Sequence, residues 1–231
     1  ISSSAHLIVL PWLFGWGERM LNSLTFDVSL HLGTLIAVLS YFAADWLRLI
    51  KAGLASIAER RIGRDPDRRM AWFLIIGTIP GGVAGLLAES TIEALFHRPG
   101  VPVAAASMTM LAVILALLGA FLLLAERLAG HLRTMDQLSL KDVLLIGLAQ
   151  ALAIFPGVSR SGATITAGLA LGLKREAAAR FSFLLSAPII AGAGGKSLWT
   201  IAREIQANGP AGFDLAALGL GFLAAAASGY L

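Results

Sequence analysis

The chain has 231 residues, of which 57% are hydrophobic and 14% are charged, and its mean hydropathy is +0.80. These values lie outside the range of soluble domains and predict a polytopic membrane protein, long enough for several helices of about 20 residues each. The net charge of +4 requires no nucleic-acid partner, since the basic residues lie where membrane topology places them. The absence of cysteine excludes a disulfide framework, a thiolate metal site and a cysteine nucleophile. We therefore expect a single integral membrane domain over residues 1–231.

Five apolar stretches are long enough to cross a bilayer, and two others are too short or interrupted. In chain order the predicted elements are the short stretch 4–16, the spans 28–50, 70–88 and 101–125, the interrupted stretch 143–173, and the spans 181–201 and 215–231. The halves of the interrupted stretch suit a re-entrant helical hairpin better than a crossing. Irregular backbone at membrane depth persists only where protein or a wet cavity surrounds it.

The placement of Lys and Arg predicts the topology. The loop 51–69 carries several arginines, namely Arg60, Arg61, Arg64, Arg68 and Arg69. Short loops rich in Lys and Arg face the cytoplasm, and alternation from there leaves the loops 89–100 and 207–214, which are poor in basic residues, outside. Because Lys174, Arg175 and Arg180 also belong inside, the stretch 143–173 has to return to the side that it left.

A weak internal repeat relates residues 1–40 to residues 158–197 at a constant offset of 157. The identical pairs are Ser2 and Ser159, Ser4 and Ser161, Ile8 and Ile165, Gly15 and Gly172, Phe26 and Phe183, Ser29 and Ser186, and Ser40 and Ser197. The two copies would cross the membrane in opposite directions. The sequence thus predicts an all-α membrane fold with an inverted-topology repeat, approximate halves 1–50 and 143–203, and two re-entrant helical hairpins that meet near the midplane.

The segment 156–164, Pro-Gly-Val-Ser-Arg-Ser-Gly-Ala-Thr, is the strongest candidate for a functional site. An arginine at bilayer depth costs roughly 2.5 to 3.5 kcal/mol and stays charged, so an anion is expected beside Arg160. A phosphoryl group fits best, because a guanidinium forks onto its oxygens while hydroxyls and glycine N–H groups fill in around it. The candidate binding residues are Gly157, Ser159, Arg160, Ser161 and Thr164. The alternative for the serines is that they only permit close helix packing.

The predicted repeat places a second polar group, Ser2, Ser3, Ser4 and His6, opposite this segment. His6 could act as a nucleophile or as a general acid or base, and a neighbouring serine hydroxyl could be activated by proton transfer to the imidazole. The alternative is that His6 only makes hydrogen bonds at the membrane interface and has no catalytic role. The residues themselves do not decide whether Ser3, His6 or water attacks.

The segment 156–164 resembles the PGxSRSxxT signature of the undecaprenyl-diphosphate phosphatases, the bacitracin-resistance family. Further blocks resemble that family along the whole chain: Ser2-Ser3-Ser4-Ala5-His6-Leu7, Phe26-Asp27, His31-Leu32-Gly33-Thr34, Ile76-Gly77-Thr78-Ile79-Pro80 and Phe181-Ser182-Phe183-Leu184-Leu185-Ser186. The long signature is specific, whereas the apolar blocks add little without it.

The resemblance implies a bacterial inner-membrane hydrolase that removes the terminal phosphate of undecaprenyl diphosphate, recycling the lipid carrier for peptidoglycan and cell-wall synthesis. It implies a site that faces the periplasm, with Ser3, His6 and Arg160 catalytic and Ser2, Gly157, Ser159, Ser161 and Thr164 binding the substrate. It also implies a divalent cation, Mg²⁺ or Ca²⁺. A homodimer is an open alternative to a monomer.

One departure from the family concerns its acidic (E/Q)xxxE motif, which precedes the serine–histidine block. This chain starts at Ile1 and stops in an apolar run, so we expect it to be truncated at both ends and assign no metal ligands. By pseudo-symmetry, Gln150 would correspond to the first acidic residue of that motif, although a glutamine that serves helix packing is an equal alternative. The alternative function is a polyprenyl-phosphate transporter or flippase, which inverted repeats with broken helices also suit.

Overall fold

The computed structural model describes residues 3–15, 24–96, 105–208 and 214–231. These residues are helical apart from turns, two short 3₁₀ segments and one isolated β-bridge. The helices are α1 (Ser3–Phe14), α2 (Leu24–Tyr41), α3 (Ala43–Ala58), α4 (Pro66–Phe96), α5 (Ala105–Leu128), α6 (Leu140–Ala151), α7 (Arg160–Ala170), α8 (Arg175–Asn208) and α9 (Leu215–Tyr230). The predicted all-α class is confirmed.

Three of the described helices are long and apolar enough to cross a membrane: Pro66–Ala88 within α4, Ser107–Leu128 within α5 and Arg175–Ala207 within α8. They match the predicted spans 70–88, 101–125 and 181–201. The helix α9 is apolar but shorter, with 16 residues, and it packs along α2, where the Ser29 hydroxyl donates to the Leu218 carbonyl at 3.0 Å. The chain is a multi-pass membrane protein.

The predicted span 28–50 is not one continuous helix. The helix α2 ends at Tyr41, and α3 begins at Ala43 after a bend of 82°. Hydropathy alone hides the break, because apolar residues continue through it. On the far side Asp45 pairs with Arg180 of α8 at 2.7 Å, and this ion pair fixes the start of α3 on the bundle.

The interrupted stretch 143–173 is broken as its sequence predicts. The helices α6 and α7 have 12 and 11 residues, and a 3₁₀ turn and an irregular segment separate them. Arg133 holds both outer ends: its guanidinium pairs with Asp142 in the first turn of α6 at 2.6 Å and donates to the Leu171 carbonyl at the end of α7 at 2.8 Å. Both ends of the stretch therefore lie on one side of the bundle. The re-entrant hairpin over residues 143–173 and the inverted repeat stay predictions. The single domain over residues 1–231 also stays a prediction.

The largest core cluster joins α4, α6, α7 and α8 around Phe181 and Leu185, which are almost fully buried. Glycines let α4 and α6 touch, since a Cβ on Gly147 would lie 2.6 Å from the Gly77 carbonyl oxygen. Close approach through small residues is typical of helix packing in membranes. This contact holds α6, and with it the turn that follows, against the rest of the bundle.

Candidate active site

The motif segment forms the turn that joins the broken stretch to α7. Pro156 and Gly157 are buried, and Gly157 has a φ of 96°, a conformation that glycine adopts without steric cost. A Cβ at Gly157 would also lie 2.8 Å from Leu111 Cδ1 of α5. Backbone conformation and available space both require glycine here. The turn therefore lies directly against α5.

Ser159 is the N-cap of α7. Its Oγ accepts a hydrogen bond from the Gly162 backbone N–H at 3.1 Å and lies 3.3 Å from the Ser161 Oγ. The capping bond fixes the start of the helix, where unpaired N–H groups and the positive end of the helix dipole favour an anion. The two predicted ligand hydroxyls are thus neighbours at that helix end.

Arg160 is the first residue of α7 and is half-buried. Its Nε is buried without a hydrogen-bond partner, and within the described part of the chain no carboxylate forms an ion pair with it. Two other arginines of the described residues do have carboxylate partners, Arg133 with Asp142 and Arg180 with Asp45, although the Arg180 Nε is also buried without a hydrogen bond. A desolvated guanidinium without a counter-charge is unfavourable by itself, so this geometry favours an anionic ligand.

The Thr164 hydroxyl has three partners within the protein. It is 2% exposed, lies 2.6 Å from the Ser182 Oγ of α8, and donates towards the Arg160 and Ser161 carbonyls at 2.9 and 3.2 Å. These bonds join α7 to α8. The predicted role of Thr164 as a ligand of phosphate oxygens stays a prediction, and Ser182 is a partner that sequence reasoning missed.

The first serine–histidine group is only partly described. Ser2 lies outside the described residues, and the side chains of Ser3 and Ser4 are not described either. The helix α1 starts at Ser3, and its His6 side chain is exposed. The predicted catalytic roles of Ser3 and His6 stay predictions.

The residue Leu111 of α5 connects the two predicted halves of the site. Ala5 and Ile8 of α1 form one buried cluster with Leu111, which is 1% exposed, and Gly157 packs against the same side chain. The fold therefore brings the helix that carries His6 and the turn that carries Arg160 to the same part of α5. Sequence patterns could not identify Leu111, because it is one of many leucines in an apolar helix.

The described residues do not supply a metal site. Across 3–15, 24–96, 105–208 and 214–231, no group of three or more His, Asp or Glu side chains is arranged to hold a metal ion. The described groups of the motif segment are a guanidinium, hydroxyls and backbone N–H groups, and the guanidinium and N–H groups can bind only anions or other acceptors. The expected divalent cation therefore stays a prediction, and no step below depends on it.

Gln150 lies buried between α6 and α4, at 2% exposure. Its Nε2 donates weakly to the Gly77 carbonyl at 3.4 Å, while its Oε1 is buried without a partner. A Cβ on Gly81 would lie 3.2 Å from Nε2, so the amide fits closely against α4. The glutamine takes part in helix packing, one of the two alternatives for this residue.

The fold and the site define a multi-pass helical membrane protein in which an arginine without a carboxylate partner stands at the start of a helix. The model of the bacitracin resistance protein BacA family matches residues 1–231, and the chain belongs to this family.

Its relatives include undecaprenyl-diphosphatases of three bacteria. The protein of Caldicellulosiruptor bescii is 42% identical over 231 residues, all of this chain and 78% of that protein. That of Anaeromyxobacter sp. is 48% identical over 231 residues, all of this chain and 71% of that protein. That of Thermomicrobium roseum is 52% identical over 194 residues, 84% of this chain and 68% of that protein. The family predicted from the signature is confirmed.

Proposed function

We propose that the protein is an undecaprenyl-diphosphate phosphatase. Water would cleave the terminal P–O–P anhydride bond of undecaprenyl diphosphate and yield undecaprenyl phosphate and inorganic phosphate. The curated relatives carry this activity in their names, and they support a phosphatase over a transporter of the same architecture. The product is the lipid carrier of peptidoglycan biosynthesis in the bacterial cell wall, and the family is described as that of a bacitracin resistance protein.

The observation that carries the proposal is the unpaired Arg160 at the start of α7. Its guanidinium holds the diphosphate through forked contacts, and the helix N-terminus with the hydroxyls of Ser159 and Ser161 binds further oxygens. Phosphoryl transfer depends mainly on positioning and charge neutralisation, which such a set of groups supplies. Gly157 allows the backbone to approach closely, and Thr164 and Ser2 complete the proposed binding set.

Ser3 and His6 are proposed to lie at the reacting phosphorus, since α1 and the motif turn meet at Leu111. Either Ser3 attacks with His6 as its base, or His6 attacks or activates water directly. Water is the final phosphoryl acceptor in each case. A divalent cation, Mg²⁺ or Ca²⁺, is proposed as a requirement of the full reaction.

The proposed location is the bacterial inner membrane, with the site open to the periplasm. The basic residues of 51–69 lie at the opposite, cytoplasmic side under the same topology. The substrate is a polyprenyl diphosphate that diffuses in the bilayer. Self-association into a homodimer stays an open prediction of the sequence.

Phosphate release from undecaprenyl diphosphate by the purified protein in detergent tests the proposal. We expect release by the wild type and a loss of at least about a hundredfold in Arg160→Lys, because an ammonium cannot reproduce the forked contact of a guanidinium. The matched control is Arg203→Lys, since Arg203 lies exposed on α8 and stacks on Trp199. The control should keep wild-type turnover.

Each reaction is run with Mg²⁺, with Ca²⁺ and with a chelator. Absence of release under all three conditions contradicts the phosphatase proposal. If the Arg160→Lys variant releases phosphate as fast as the wild type, the protein is a phosphatase but Arg160 is not part of its site. A parallel assay in liposomes, which follows movement of the lipid phosphate between leaflets, would detect a transporter.

A further inference from the structure

The helix α3 has three distinct faces. Its buried face includes Leu49 and Ser56, at 3% exposure each. At 100° per residue, a second face carries a stripe of exposed large apolar side chains: Leu47, Ile50, Leu54 and Ile57. These four are between 53% and 63% exposed. Arg48 and Lys51, both exposed, occupy the third face.

The helix α3 contacts the first two turns of α4. Arg48 contacts Asp67 at 3.3 Å, the Trp72 indole N–H donates to Ser56 at 2.9 Å, and Arg68 pairs with Glu59 just beyond α3 at 2.6 Å. The contacts from Arg48 to Ser56 cover about 12 Å of α3, and their partners lie within the first two turns of α4. Because a membrane-crossing stretch begins at Pro66, these contacts place α3 at that end of the crossing helix, and the 82° bend turns α3 away from the axis of α2.

Exposed basic residues continue beyond this helix. Arg60, Arg61 and Arg64 follow in the next turn, and like Lys51 they form no ion pair within the described residues. A helix with one apolar face, one basic face and a bend at the membrane boundary is typical of an interfacial helix. Positive charge there complements the anionic headgroups of the cytoplasmic leaflet.

We propose that α3 is an interfacial helix that binds the anionic cytoplasmic leaflet. Leu47, Ile50, Leu54 and Ile57 enter the acyl boundary, while Lys51, Arg61 and Arg64 contact phospholipid phosphates. The bundle covers the remaining face. This binding surface is separate from the Arg160 site and does not depend on the proposed phosphatase activity.

The absence of cysteine makes the depth of α3 measurable, because a single introduced cysteine carries the only nitroxide label. The positions are Leu54→Cys on the apolar stripe, Lys51→Cys on the basic face and Leu117→Cys, which is exposed on the crossing helix α5. In liposomes we expect the labels at positions 54 and 117 to collide with oxygen and not with a water-soluble nickel chelate. The label at position 51 should show the reverse.

A chelate-accessible label at position 54 overturns the proposal, since the stripe would then face water. A label at position 54 that is protected from both reagents also overturns it, because protein would then cover the stripe. That outcome would indicate a second copy of the chain or another protein partner.

Headgroup binding is tested by native mass spectrometry with phosphatidylglycerol and phosphatidylcholine as the two probes. Each basic residue near an anionic surface contributes roughly a fivefold change in affinity. We therefore expect the triple variant Lys51→Gln, Arg61→Gln, Arg64→Gln to lose more than tenfold in binding of phosphatidylglycerol only. The control Arg127→Gln, Lys141→Gln, Lys174→Gln removes the same charge from exposed residues elsewhere on the cytoplasmic side. An equal loss in both variants, or no loss in the first, overturns the proposed contact.

Discussion

Gly157 packs so closely on Leu111 that a methyl group added to the glycine would lie 2.8 Å from Leu111 Cδ1. Leu111 in turn contacts the α1 cluster of Ala5 and Ile8. Both parts of the proposed site thus depend on one contact with α5. A change at this contact displaces the Arg160 turn without touching a charged group.

Gly157→Ala should therefore lower both stability and phosphate release. A φ of 96° strains any L residue, and overpacking against Leu111 adds to the cost, so we expect about 2 to 4 kcal/mol of destabilisation. Thermal unfolding in detergent measures it. The control is Gly119→Ala, since a Cβ on this α5 glycine meets nothing within 4 Å. Equal melting temperatures for the two variants would show that the contact is not tight.

Thr164 and Ser182 should behave as a coupled pair. Their hydroxyl oxygens are 2.6 Å apart and both residues are buried. Thr164→Val leaves the Ser182 hydroxyl without its partner, whereas Ser182→Ala leaves Thr164 its bonds to the Arg160 and Ser161 carbonyls. We expect Thr164→Val and Ser182→Ala to destabilise the protein with a coupling energy of about 1 kcal/mol in a double-mutant cycle. Ser186→Ala is the control, because Ser186 bonds only the Phe183 carbonyl within its own helix. Strictly additive effects would contradict the pairing.

Turnover of the same variants separates the two roles of Thr164. A threonine that only joins α7 to α8 predicts equal losses of activity in Thr164→Val and Ser182→Ala. A threonine that also binds phosphate predicts a larger loss in Thr164→Val, with a raised KM. Our proposal that Thr164 belongs to the binding set requires the second result.

The pair of Arg133 and Asp142 should make stability depend on pH. The Arg133 guanidinium, with the Ser139 backbone and hydroxyl groups, lowers the pKa of Asp142 from 3.8 to about 2. Because the folded pKa lies below the unfolded one, the pair stabilises the fold fully above about pH 5 and loses this contribution as the pH falls towards 2. The shift corresponds to about 2 kcal/mol.

Asp142→Asn should accordingly melt below the wild type at neutral pH, and the difference should shrink as the pH falls to about 3. Asp136→Asn serves as the control, since Asp136 is exposed in the same loop. A difference between Asp142→Asn and wild type that stays constant down to pH 3 would show that the carboxylate is not specially stabilised.

Gln150→Leu should leave the melting temperature unchanged or raise it. The Nε2 bond to Gly77 is long at 3.4 Å and the buried Oε1 has no partner, so an apolar side chain of similar size loses little. Gln150→Ala is the comparison, because it leaves a cavity and should cost about 2 kcal/mol or more. A large destabilisation by Gln150→Leu would instead show that the amide makes a strong bond.

Sequence patterns predicted the class of the fold and the broken stretch for clear physical reasons. Pro156 and Gly157 interrupt an apolar run whose halves are too short to cross a bilayer, and the structure breaks there. The arginine was conspicuous because charge is costly in hydrocarbon. Both signals are local in the sequence.

The missed features are contacts between residues far apart in the chain. Ser182 resembles any other serine of an apolar helix until α7 places Thr164 beside it. Mean hydropathy hardly changes at Phe42, so a hydropathy average over about 20 residues does not reveal the bend. What changes at the bend is the direction of the apolar face, which depends on the neighbouring helices.

The bend at Phe42 also makes the two predicted repeat copies conformationally unequal. At the offset of 157, Phe42 corresponds to Trp199, which lies within the continuous helix α8. A carrier that works by exchanging the shapes of its two copies would have to straighten α2 into α3 and bend α8 at Trp199. The first change would break the Asp45–Arg180 pair. The bend and the ion pair beside it therefore oppose such an exchange of shapes between the two copies.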